Sequence, residues 1–455
     1  MRQKSDGGLW LFVFYLALIL WAPIPLGSNR AWSWALLAFW VLVLALAWLA
    51  GFIRGKYALP TIVREARPML LCALLWLGYV WLQLLPLPVA ILELLSPEAA
   101  RWQLAAAAPD TLGAVPLTLD RYATLEAACK STAYLAFFAL TLILLNNRER
   151  IRVAAYVVIA SGVLQALYGV LSRFQNLNDW AAGTFANRNH YAAYLVICLS
   201  VGIGVLIANL SGEKSPSWKH FFRNLIQWII SAKMALRLGL VIMVIALVLT
   251  RSRMGNSAFF VSLLISGAIG LLLAKRATKS MVILLVSLIA IDAFIVGTYF
   301  GAKHIVEKIA QTSVETEDRG EVAGYALRMW KDYPVFGSGL GSFHVVFPRY
   351  SAEGTKVSYT HAHNDYLEFA AEVGLLGLSL LGLMVSMSFA VALRAQFQRR
   401  DPLMRGLSFS AIMGILALMI HSFVDFNLQI PANALTFMLV LAFAWISGYH
   451  GRSDA

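Results

Sequence analysis

Apolar residues fall along this chain in long unbroken runs, near residues 9–26, 31–52, 69–86, 122–145, 153–172, 190–210, 238–250, 256–274, 281–300, 372–393, 404–424 and 431–449. Most are long enough to cross about 30 Å of hydrocarbon as a helix. They lack the two-residue alternation of a membrane barrel, and open sheets cannot satisfy their backbone in lipid. The pattern predicts an all-α polytopic membrane protein with about twelve transmembrane helices. The 238–250 run is short unless its helix begins within "AKMALRLGL", and the aromatic stretch 221–231, "FFRNLIQWIIS", fits an interfacial helix.

Polar positions gather between the runs, and their charge orients the chain. With the first residues on the inside, the inner segments hold 22 of the 37 Lys and Arg but 6 of the 24 Asp and Glu. This is the positive-inside pattern, and it puts both termini in the cytoplasm. The net charge of +13 is thus shared among inner loops, which argues against a nucleic-acid patch. A mean hydropathy of +0.70 agrees with a membrane chain. Cys72, Cys129 and Cys198 lie in apolar stretches and read as packing residues. The first run reads as an uncleaved signal anchor, because no small-x-small site follows it.

Three outer loops result, about 87–121, 173–190 and 301–371. Each is too short for an ordinary independent core, so the chain reads as one membrane-embedded domain, residues 1–455, whose 301–371 loop carries part of the site. The unusual polar residues collect there, where nucleotides are absent.

The densest cluster is "THAHNDYLEFAAEVGLLGL", residues 360–378. Neutral imidazole takes a proton from a hydroxyl near neutral pH, so His363 is a candidate general base. Asn364 or Asp365 suits a helix N-cap, after which Glu368 and Glu372 share a face. Interfacial anchoring is the plain alternative. A metal site of His361, His363 and Asp365 is another, but a His pair two residues apart lacks a clear third ligand.

In "LTRSRMGNS", Arg251 and Arg253 sit at an outer turn, against the positive-inside bias. A guanidinium fork suits phosphate oxygens, although arginines at helix ends also snorkel. "GTFANRNHYAAYL" opens a span with Asn187, Arg188, Asn189 and His190. "DRGEVAGYALRMWKDYPVFGSGLGSF" adds Arg319, Arg328 and Lys331 and a glycine turn that lacks the lysine and threonine of a nucleotide loop. His421, Asp425 and Asn427 in "HSFVDFNLQIPANA" read as structural hydrogen-bonding residues.

His363-Asn364-x9-Gly374-x-x-Gly377 resembles the signature of the O-antigen ligase/polymerase superfamily of bacterial envelopes, and the other motifs follow in similar order over roughly residues 130–445. The resemblance implies an inner-membrane, metal-independent glycosyltransferase with a periplasmic active site and no cofactor. Its expected partners are an undecaprenyl-diphosphate-linked glycan donor, a lipid A-core or growing-glycan acceptor, and membrane lipid, with no nucleic acid. His363 would match the essential histidine, and Arg251 and Arg253 the arginines that hold the diphosphate. Arg328, Asn364, Asn187 and Arg188 are further expected substrate contacts. A ligase for lipid A-core is the leading reading and a polymerase the alternative. A lipid-linked glycan transporter, the rival class, would spread polar residues through mid-membrane depth, where Asp292 is the clearest exception.

Overall fold

The computed structural model describes residues 8–106, 113–175, 179–210, 232–273, 320–351 and 359–451. The expected interfacial helix at 221–231, the 281–300 span with Asp292, and Arg319 lie outside them. The remaining eleven expected spans are all helical. They are α1 (Leu9–Trp21), α2 (Ala31–Ile53), α4 (Arg67–Leu82), α7 (Arg121–Leu144), α8 (Arg148–Phe174), α9 (Arg188–Leu210), α10 (Ala232–Leu249), α11 (Arg253–Leu273), α13 (Asp365–Gln398), α14 (Pro402–His421) and α15 (Pro431–Tyr449). Shorter helices α3 (Thr61–Glu65), α5 (Val89–Leu95), α6 (Pro97–Ala106) and α12 (residues 320–332) lie between them. Eight of the described helices are long and apolar enough to span a membrane.

Local chemistry sets the ends. α10 starts at Ala232, which supplies the length that its apolar run lacked. α1 stops at Trp21, short of the expected residue 26, because Pro23 and Pro25 cannot continue a helix. Asp120, Asn147, Asn364 and Asp401 cap α7, α8, α13 and α14 through side-chain oxygens that accept backbone N–H bonds.

α9, α15 and α14 form the centre of the bundle, with 94%, 89% and 78% of their apolar windows buried, whereas α13 and α2 form its rim at 22% and 33%. Lipid is as apolar as leucine, so helices in a membrane associate through close backbone approach at small residues. At the α9–α14 crossing a methyl group on Gly204 would lie 2.2 Å from the Gly406 carbonyl oxygen, and one on Gly406 2.3 Å from that of Gly204. At one end of the bundle Arg148 pairs with Asp401 and Arg399 donates to the His450 carbonyl, which gathers the α7–α8 and α13–α14 links and the end of α15.

Over the opposite end lies a second layer with its own apolar core. Strands β1 (Pro86–Pro88) and β2 (Ala114–Pro116) pair antiparallel, Leu87 opposite Val115. Leu92, Ala99 and Leu117 from this loop pack with Val322, Met329 and Phe347 from the later one. Arg349 ties them, with 2.8 Å to Glu98 and its guanidinium 4.5 Å over Trp102. Neither loop is large enough alone; together they seal one cluster.

Candidate functional site

α13 begins at the cluster of histidines and acids, and it is held in place by what it gives up. Asn364 caps it, accepting the Leu367 N–H at 3.1 Å. Ten residues later Gly374 adopts φ 59°, ψ −171°, a conformation open only to glycine, and the helix kinks. The kink deprives the N–H groups of 375 and 376 of their helical acceptors on 371 and 372. Leu375 donates instead to the Pro334 carbonyl (2.8 Å) and Leu376 to that of Val335 (3.1 Å), while the Ala371 and Glu372 carbonyls accept from Ser338 (3.0 Å) and Gly339 (2.9 Å). The glycine turn "FGSGLGSF" therefore docks into the kink and supplies partners to the backbone groups that the kink frees. Gly337, at φ 69°, would place a side chain 2.1 Å from the Glu372 carbonyl oxygen. Tyr79 of α4 fastens the joint, donating to the carbonyls of Phe336 and Val373.

The α14–α15 turn is fixed to the start of α13 in the same manner. The Asp365 N–H donates to the carbonyls of Ser422 and Asp425, and its buried carboxylate accepts from Ser422 Oγ at 2.6 Å and from Leu428 N–H. Asn364 Nδ2 donates to the Phe423 carbonyl at 2.9 Å. These bonds bring Asp425 and Phe426 against the histidines.

His363 has φ 50°, a left-handed conformation that is uncommon for a side-chain-bearing residue and costs about 1–3 kcal/mol. Its Nδ1, sealed from solvent, faces Asp425 Oδ1 at 3.7 Å, while the side chain as a whole is 25% exposed. The exposed part of the side chain thus lies away from Nδ1. Buried His190, at the start of α9, brings Nε2 to 3.4 Å from the same carboxylate oxygen. Burial would push the Asp425 carboxyl up, but His190, His363 and His421 together outweigh it and hold it well below the usual carboxylate range. His361 is engaged elsewhere, Nδ1 lying 2.7 Å from Glu368 Oε1. The Phe426 ring is the common wall, with His361 stacked on it at 4.1 Å and His190 and His363 edge-on at 4.5 and 5.0 Å.

The arginine turn lies at the same end. Arg251, at φ 54°, closes the link between α10 and α11. Around it Ser252 N–H donates to Thr250 Oγ1, and Asn256 Nδ2 donates to the Ser252 and Leu247 carbonyls. Gly255 packs so closely on α9 that a methyl group would lie 2.6 Å from Ala192 Cβ, two residues from His190. Ala181 N–H donates to the Leu249 carbonyl, which draws in the segment carrying Asn187 and Arg188. Arg251 and Arg188 are half-buried and Arg253 is exposed; the Arg188 guanidinium lies 4.5 Å over Trp180, and Asn187 Oδ1 accepts the Asn189 N–H. The structure thus brings His363, Asn364, the arginine turn and the 187–190 segment to one end of the bundle. Arg328 sits apart on α12, exposed, over Tyr325.

Two residues carry more than their sequence reading. Asp425 is not only a structural hydrogen-bonder, since it faces the candidate base, and His190 shares it. The signal available was a buried acid and a histidine, each at a helix end. His361, His363 and Asp365 do not converge as a ligand set, because each addresses a different carboxylate or hydroxyl. No group of three His, Cys, Asp or Glu side chains among the described residues is arranged to hold a metal.

No curated protein matches the chain. Residues 238–382 match the family model described as O-antigen ligase, a stretch that runs from α10 through the arginine turn and His363 to beyond the kink of α13. That stretch, about a third of the chain, is similar to the O-antigen ligase family and supports the resemblance read from the sequence.

Proposed function

We propose that the protein transfers a glycan from undecaprenyl diphosphate to a hydroxyl of lipid A-core at the periplasmic face of the inner membrane. The observation that carries the reading is a histidine backed by a buried carboxylate at the end of the bundle that also holds outward arginines. In a single displacement, His363 Nε2 takes the acceptor proton as the acceptor oxygen bonds to the anomeric carbon. The bond from that carbon to the diphosphate oxygen breaks, and its electron pair leaves with the diphosphate. Attack opposite the leaving group inverts the anomeric carbon. Arg251 and Arg253 would hold the diphosphate and stabilise its growing charge in a partly desolvated site, aided by Arg188, Asn187, Asn364 and, from the outer layer, Arg328. This route asks for neither metal nor nucleotide. The basic end of the bundle would face the cytoplasm, and the 301–371 loop would complete the site over the periplasmic mouth.

Asp425 has a distinct task in this scheme. Facing Nδ1, it holds the ring with Nδ1 protonated and Nε2 open, and it stabilises the imidazolium that forms. Asp425→Asn should lower kcat at least ~10²-fold while leaving donor KM and thermal stability near parental values. An unchanged kcat, measured in proteoliposomes, would remove Asp425 from the mechanism.

Ligase and polymerase share donor and base, so active-site variants do not separate them. Deletion of the gene in its host does. Loss of a ligase leaves long chains on the polyprenyl carrier and bare core at the surface. Single repeat units, on carrier or core, would overturn the ligase reading in favour of a polymerase.

A further inference from the structure

His363 has a neighbour built on the same plan. Both oxygens of the buried Glu368 carboxylate point back at the segment before α13, one 2.7 Å from His361 Nδ1 and the other accepting the Ala362 N–H at 2.8 Å. Glu368 is 1% exposed, whereas the His361 side chain is 30% exposed. The ring lies flat on Phe426, against which His363 also rests. Each imidazole therefore has Nδ1 turned to a buried carboxylate and keeps part of its side chain exposed. They differ in the closeness of that carboxylate: Glu368 is at hydrogen-bond distance, Asp425 is not and is shared with His190.

We propose that His361 is a second substrate-contacting residue, which in its protonated form offers Nε2–H as a charge-assisted hydrogen-bond donor to a phosphate oxygen beside the base. The inference rests on the transferase reading above and adds a residue to it. In the displacement only the diphosphate gains negative charge, so a cationic donor next to the proton acceptor acts on the leaving group. A phosphate on the acceptor is the other source of the same chemistry. No proton need leave His361: it donates a hydrogen bond that strengthens as the diphosphate departs.

The groups around the ring favour the charged form. Burial lowers the His361 pKa, but the Glu368 carboxylate, through charge and hydrogen bond, and then Glu372 raise it to a net value above that of an ordinary imidazole; Lys130 opposes them. Around Phe426 the ring also has His190, His363 and Asp425 for neighbours. Activity then needs His361 protonated and His363 neutral, so the rate falls on the alkaline side as His361 loses its proton. Glu368 raises the His361 pKa, so removing its charge must move that alkaline limb to lower pH.

The test uses the full-length protein in proteoliposomes with a polyprenyl-diphosphate-linked saccharide donor and an oligosaccharide acceptor made with and without phosphate. His361→Gln should reduce kcat/KM on the order of tenfold or more and remove the alkaline limb. Glu368→Gln should shift that limb toward acid. His361→Lys, charged at every pH used, should keep activity into the alkaline range, which serves where the buried Glu368 variant does not fold. A loss seen with both acceptors assigns the contact to the donor diphosphate, and a loss confined to the phosphorylated acceptor assigns it to that phosphate. A parental pH profile in His361→Gln, or a uniform loss at all pH in all three variants, overturns the proposal. If His363→Ala is inactive while the His361 variants behave as the parent, only this inference falls; an active His363→Ala removes the transferase reading beneath it.

Discussion

His363→Ala should abolish measurable glycan transfer, a loss of about 10²–10⁴-fold if the residual reaction relies on binding and the arginines alone. Donor affinity and protein level should stay near parental, because the side chain is a quarter exposed and fills no sealed core. The left-handed backbone at this position complicates alanine, which gains nothing there, whereas asparagine tolerates the conformation better than most residues. His363→Asn should therefore fold at least as well as the parent and be equally inactive. The comparison separates lost chemistry from altered strain. Transfer within tenfold of parental in both variants, measured with purified protein and defined donor, would end the assignment of His363 as the base.

The spans were legible because the periodicity and length of apolar runs report one physical fact, the thickness of hydrocarbon. Their polar ends were legible too. Asn364 was an N-cap candidate by residue type and is one, and Glu368 and Glu372 share a buried face as their spacing required. What the chain hid was partnership across distance. Asp425 follows His363 by some sixty residues, and nothing local to "HSFVDFN" reveals that five hydrogen bonds between that turn and residues 364–365 bring it to the imidazole. The three histidines around Phe426 come from two segments, 190 and 361–363, and Phe426 from a third, an arrangement with no sequence period. The outer core was hidden for a related reason. Each loop alone buries too little apolar surface to repay its ordering, and a sequence does not say which loops will pool theirs.

The signature glycines were legible as a pattern without a reason, and the kink supplies one that can be tested. Gly374→Ala should both destabilise the protein and disable transfer. The residue's φ and ψ lie in a region reserved for glycine, at a cost of about 1–3 kcal/mol to any other residue. A methyl group there would also meet the Val335 carbonyl oxygen at 2.2 Å, a contact with backbone that no rotamer change relieves. The variant must straighten the helix or expel the 334–339 turn. Either breaks the four-bond exchange in which residues 375 and 376 donate to 334 and 335 while 338 and 339 donate to 371 and 372. It also releases the Phe343 N–H bond to Glu372 Oε1. Since the start of α13 carries Glu368, which holds His361, and follows directly on His361 and His363, a change in its direction displaces both histidines from the Phe426 wall. The expected result is a fall of several degrees in the detergent melting temperature, together with a loss of transfer exceeding tenfold. Gly382, further along α13, is the control. A methyl group there meets nothing within 4 Å, so Gly382→Ala should be neutral or slightly stabilising. Equal melting temperatures and equal activity for the two alanine variants would show that the kink is dispensable and that the signature glycine serves some other end.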